Sequence, residues 1–165
     1  MGINRGKQFE GQIRKALEKY PNSISSDRFA DPMAGYAGIR NICDFGVYSY
    51  PNQFYFECKS FCGNTLNFKS DITKDQWEGL KEKSIVHGVH AGILAWFIDH
   101  DITVYVSIRE LVKLRDSGEK SLNIKHIREN SIKYYIVPSV KKRVLFEYDM
   151  WTFLNILKVL NDGEE

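Results

Sequence analysis

The chain has 165 residues, of which 43% are apolar and 27% charged, with a formal net charge of +2. That is the profile of one globular domain with a real core, and it excludes a disordered chain or a polybasic tail. No apolar run nears the roughly 20 residues of a membrane span. With three cysteines in no framework spacing and no hydrophobic signal region at the start, the reading is a cytoplasmic protein with no membrane partner.

Phe9, Ile13, Ala16, Leu17 and Tyr20 recur at helical spacing and predict a first helix over about 5–20, ended by Pro21 and Asn22. Residues 22–41 are rich in small and polar residues, Gly and Pro, and read as a long flexible loop. The runs ICDFGVYSY and QFYFECKS, joined at Pro51-Asn52, predict a strand hairpin. FCGNTLNFKSD reads as a loop, and Thr73 with Gln76 as a capping box opening a helix to about residue 86. AGILAWFI and ITVYVSI predict two more strands, with a tight turn at Asp99, His100 and Asp101. RELVKLRDSG is a helix closed by Gly118, IKYYIVP and RVLFEY are short strands, and a last helix covers about 149–160. The order predicts an α/β fold, a central mixed sheet flanked by helices.

Charge is unevenly spread. Residues 111–143 hold nine Lys and Arg against Asp116, Glu119 and Glu129, and the N-terminal segment is also basic, whereas acids gather in the tail. A basic face is permitted; a solvated surface is the plainer reading.

The chemistry concentrates in FYFECKS, residues 54–60. In a strand, Phe54, Phe56 and Cys58 share one face while Tyr55, Glu57 and Lys59 share the other. Asp44 opens the preceding strand, giving Asp44-x12-Glu57-x-Lys59. Neighbouring carboxylates repel, and a hard divalent cation offsets that repulsion. A lysine beside them can hold the attacking water or stabilise charge on a phosphoryl group. Glu57 and Lys59 also suit an exposed pair of little worth. Gln76 either turns its amide oxygen to the metal or only completes the cap of its helix. Glu10 either pairs with Arg14 one turn on or supports the site.

Taken together, NRGKQFEGQIRKAL, CDFGVYS, FYFECKS and KDQWEGLK resemble the PD-(D/E)xK nuclease superfamily. More closely they resemble the RecU-type Holliday junction resolvases of Gram-positive bacteria and their phages, and the compact length leans to a phage. The resemblance implies a restriction-endonuclease-like core and Mg²⁺, with Mn²⁺ as a substitute. It implies a metal set of Asp44, Glu57, Gln76 and the Cys58 carbonyl, with Lys59 as the transition-state or water-orienting lysine and Glu10 in support. It also implies a homodimer that makes paired symmetric nicks in a four-way junction, in the cytoplasm of a bacterial host. Arg5, Lys7, Arg14, Arg28, Arg40, Lys141, Lys142 and Arg143 are the candidate DNA-backbone contacts. Two departures stand out: Ile42 replaces the threonine two residues before the aspartate in the bacterial family, which removes a polar contact, and SSDRFADPMAGYAGIR takes the place of the stalk that family members carry between the first helix and the catalytic hairpin. If the site is a true one, Glu57 and Lys59 face a metal and a phosphate and need no salt bridge with each other.

Other readings are a superfamily nuclease with a different DNA substrate, and a non-catalytic nucleic-acid-binding recombination module. His87 and His90, placed near a helix end, lack a third ligand, and Cys43, Cys58 and Cys62 form no C-x-x-C pair. Tyr48, Tyr50 and Tyr55 suit base stacking, but strand packing is the plainer reading.

Overall fold

The computed structural model describes residues 2–29 and 41–161. Helix α1, Arg5–Glu18, starts where the Asn4 side chain accepts from the Lys7 amide, and buries Phe9, Ile13, Ala16 and Leu17. Strands β1 (Ser25–Arg28), β2 (Phe45–Ser49) and β3 (Asn52–Phe61) follow, then the short β4 (Thr65–Asn67) and helix α2 (Lys74–Ser84). Next come β5 (Val89–Phe97), a 3₁₀ turn at Ile98–His100, and β6 (Ile102–Ser107). The chain continues through α3 (Ile108–Asp116), β7 (Ser121–Asn123) and α4 (Ile124–Arg128). It closes with β8 (Tyr135–Ile136), β9 (Ser139–Lys141), β10 (Phe146–Tyr148) and α5 (Met150–Asn161).

Among the described residues the main sheet has six strands in the order β1-β2-β3-β5-β6-β8. The β3–β5 pair is parallel and the others antiparallel, so the sheet is mixed, as the element order predicted. Because β3 and β5 are parallel, the chain must cross over between them, and α2 is the crossover. Phe54, Phe56 and Cys58 enter one core with α1 and α5, through Phe9, Ile13, Phe153 and Leu157. Ile93 and Ala95 of β5 enter a second core on the opposite face with Trp77 and Leu80 of α2 and Leu111 of α3. Residues across the register from them on β3 are Glu57 and Lys59, so this pair lies on the α2 face.

The structure differs from the sequence reading at several places. Residues 25–28 are not loop: SSDR pairs with β2 from Ser25 against Tyr48 to Arg28 against Phe45. Nothing in SSDR alternates, and the strand exists because β2 offers an open edge. β4 lies in the segment read as loop and β7 in one given no element; each three-residue strand is made by pairing with the other. The short helix α4 was also missed. Its cap is Asn123, with His126 returning a ring nitrogen to the Asn123 amide, a partner outside the usual Glu or Gln signature. His87 and His90 are not on a helix; α2 ends at Ser84, and His90 is in β5, stacked on Phe54 at 4.9 Å. Of the segment at 22–41, residues 30–40 lie outside the described residues, and Arg40 with them. Among the described residues no helix is long and apolar enough to cross a membrane.

Candidate active site

Asp44 immediately precedes the first β2–β3 pair, Phe45 with Phe56. Its backbone is held on both sides: its N–H donates to the Phe56 carbonyl at 3.1 Å, and its carbonyl accepts from the Phe29 amide at 2.8 Å. Backbone groups alternate along a strand, so the Cys58 N–H points toward β2 as the Phe56 carbonyl does. β2 has ended there, and the Asp44 carboxylate takes that donor, Oδ2 to Cys58 N at 2.8 Å. The carboxylate is therefore fixed beside the segment that carries Glu57. The Cys58 carbonyl is directed to the same side of β3.

Glu57 is 4% exposed, a buried acid on a sheet face. Its Oε1 accepts from the Gln76 side-chain nitrogen at 2.8 Å and faces the Lys59 ammonium at 3.0 Å. Burial is the main cause that lifts the Glu57 carboxyl to about 7; the charge of Asp44 lifts it further and Lys59 opposes. Burial likewise lifts Asp44, to about 6, against the pull of the Cys58 amide, while Glu10 adds to the rise. Both acids thus resist ionisation because they are desolvated, and Asp44 and Glu10 add like charge at Glu57. Perturbed acids of this kind concentrate at functional sites.

Gln76 completes the cap and also reaches the site, but through its amide nitrogen and not its oxygen. Its amide oxygen accepts from the Thr73 amide at 3.0 Å, completing the capping box, and its nitrogen reaches Glu57. The oxygen expected to face a metal is engaged at the helix cap. Glu10 does not pair with Arg14. It takes two bonds from Arg28, at 2.6 and 3.2 Å, while Arg14 faces Glu18 at 4.0 Å. The expectation that Glu57 and Lys59 do without a salt bridge is not met, since burial leaves the carboxylate needing the nearest cation. Lys141 turns to Asp101, away from Lys142, which faces Glu147 at 3.4 Å. Arg5 donates to Gln8 at 3.1 Å and Lys7 is exposed.

One positioning contact escaped the sequence reading. A Cβ built on Gly79 of α2 would stand 2.2 Å from Ile42 Cγ2. Glycine at this position lets α2 lie against Ile42, two residues before Asp44, and brings Gln76 to Glu57. The departure at Ile42 thus has a packing role: its side chain joins the α2-side core. A lone glycine in a helix gave no signal of this.

Among the described residues no three His, Cys, Asp or Glu side chains gather as a metal-holding group. The donors at this site are two carboxylates, an amide and a backbone carbonyl. Two desolvated oxygen acids, the charge of Asp44 raising the pKa of Glu57, fit a hard divalent cation, which favours one or two carboxylates completed by water and phosphate. Cys43 and Cys58 do not compete as ligands, because burial pushes the Cys43 thiol up to about 12 and Cys58 well above its usual range.

No protein-family model matches the chain, and no curated protein does. Among solved structures, Hjc, a Holliday junction resolvase from the archaeal hyperthermophile Archaeoglobus fulgidus, is similar over 64% of this chain and 78% of its own. The TM-score is 0.46 and the identity 18%, a likeness too distant to bear on activity.

Proposed function

We propose that the chain is a Mg²⁺-dependent endonuclease that cleaves branched DNA, of the RecU type, acting as a homodimer on four-way junctions. The observation that carries the reading is the desolvated pair of half-buried Asp44 and buried Glu57, with Lys59 and Gln76 on Glu57. A stability role alone does not account for it: two acids in one desolvated place cost free energy unless they hold something.

Asp44 and Glu57 would hold the cation, joined by the Cys58 carbonyl and, once its cap bond opens, the Gln76 amide oxygen. The bound cation supplies a Lewis acid for the phosphate and lowers the pKa of water. The protein's own groups do the rest. The Asp44 carboxylate is kept in place by the Cys58 amide. Lys59 opposes the rise in the Glu57 pKa and offers an ammonium to a negative phosphoryl group. Gln76 orients Glu57, and Arg28 restrains Glu10. The products of such hydrolysis are a 5′-phosphate and a 3′-hydroxyl. Two copies related by a two-fold axis match the symmetry of the junction and give paired nicks.

Junction cleavage with Mg²⁺ tests this. The parent cuts a four-way junction symmetrically and cuts linear duplex poorly, while Asp44→Asn and Glu57→Gln bind the junction without cutting it. Equal cutting of linear duplex removes the junction assignment and leaves a nuclease. Undiminished cutting by both variants removes the metal site.

A further inference from the structure

The β9–β10 hairpin is anchored to the sheet. Phe146 packs edge-on against Trp96 at 6.1 Å, and Tyr148 lies 5.8 Å from Phe9 of α1. Between this hairpin and α1 runs an open groove of about 480 Å³. Ala16, Val144 and Leu145 line its walls, and Lys15, Lys19, Lys142 and Arg143 its rims. All four cations are exposed. Among the described residues, the one carboxylate in the groove is Glu147, and it is shared: Lys19 holds one oxygen at 2.9 Å and Lys142 the other at 3.4 Å. Two lysines from distant parts of the chain are thereby held over the same groove, with Lys15 and Arg143 beside them. Asp149, further along, also acts on Lys19.

We infer that this groove is a phosphate-binding track for a DNA arm leaving the active site. The inference rests on the nuclease reading above and adds a surface to it. Charge complementarity selects the occupant: four cations around one carboxylate suit a polyanion, and apolar walls suit the sugar faces between phosphates. The reach also fits. α1 carries both Glu10, beside the acid pair, and Lys15, and Lys19 caps its C-terminus. At 1.5 Å per residue these lie about 7 and 14 Å further along the helix. That is well within one duplex turn of roughly 34 Å. In the free protein Glu147 holds the place that a phosphate oxygen takes in the complex. Lys141, turned to Asp101, is outside the track.

The test is junction affinity against salt concentration, measured without divalent cations. The variants are a quadruple one, Lys15→Ala, Lys19→Ala, Lys142→Ala and Arg143→Ala, and the single Glu147→Gln. The quadruple variant loses about 10-fold or more in affinity near 0.1 M salt. Its slope of log affinity against log salt flattens by roughly 0.9 for each phosphate contact removed. Glu147→Gln binds more tightly than the parent. If the quadruple variant misfolds by circular dichroism, Lys142→Ala with Arg143→Ala on the exposed hairpin, together with Glu147→Gln, gives the same contrast. Parent affinity and slope in the variants, or weaker binding by Glu147→Gln, overturns the track. So does affinity of the groove for an acidic protein but not for DNA. A parent that binds with a steep slope but never cuts overturns the nuclease reading and leaves the track standing.

Discussion

Glu57 carries unusual chemistry, because its carboxylate is nearly inaccessible and yet feels the charge of a second acid, Asp44. Its folded-state pKa is raised to about 7 and that of Asp44 to about 6, against an ordinary carboxylate value of about 4. The folded chain therefore holds more protons than the unfolded chain between those limits. The stabilising contribution is full below about pH 4 and is lost as pH rises to about 7. Thermal melts of metal-free protein should show this fall, and Mg²⁺ should reduce it by binding the ionised pair. Apparent Mg²⁺ affinity should rise over the same interval, since the ligands must be deprotonated. Glu57→Gln removes the like charge while keeping the shape. At pH 8 without metal it should melt higher than the parent, with a gain on the order of 1 kcal/mol, or about 2–4 °C. Its cleavage should fall by on the order of 10²–10³-fold, the scale for loss of a group acting on transition-state charge.

Helix α2 connects the site to the fold. Its capping box fixes Gln76, and Gly79 fixes how near the helix approaches Ile42. Gly79→Ala should therefore destabilise by about 1–3 kcal/mol through overpacking. Combining it with Ile42→Ala should restore much of that loss, a coupling that a double-mutant cycle of denaturant unfolding measures. Gln76→Ala should cost roughly 10–100-fold in metal affinity or cleavage, as for a residue that orients a ligand. At this scale the sequence was informative where periodicity is strong. Phe9, Ile13 and Leu17 marked α1, the aromatic alternation of FYFECKS marked β3, and the Thr73–Gln76 spacing marked the start of α2. It was silent where an element depends on a distant partner. SSDR becomes β1 only at the edge of β2, and TLN and SLN become strands only against each other. Asp44, Glu57, Lys59 and Gln76 were legible as a set because strand alternation and a helix cap place them. Their hydrogen bonds were not legible: the bond from Cys58 N to Asp44 depends on where β2 ends, and the partner of Glu10 is on β1, a strand the sequence concealed.

At the scale of the whole molecule, the sheet separates two surfaces. The acid pair lies with α2 on one side, and the groove of Lys15, Lys19, Lys142 and Arg143 lies with α1 on the other; α1 connects them through Glu10. A branched substrate has arms enough to engage both. Paired cutting further requires two sites, so sedimentation equilibrium should give twice the 19.2 kDa chain mass. A monomer at assay concentrations would be incompatible with symmetric nicks from one complex. The central claim, however, is that Asp44 and Glu57 form a metal centre, and the most direct test is an anomalous-scattering crystal structure with Mn²⁺. The account predicts one strong Mn²⁺ peak coordinated by both carboxylates, with Gln76 turned from its cap. Full Mn²⁺ occupancy elsewhere, with Asp44 still on the Cys58 amide and Glu57 still on Lys59 and Gln76, would contradict it.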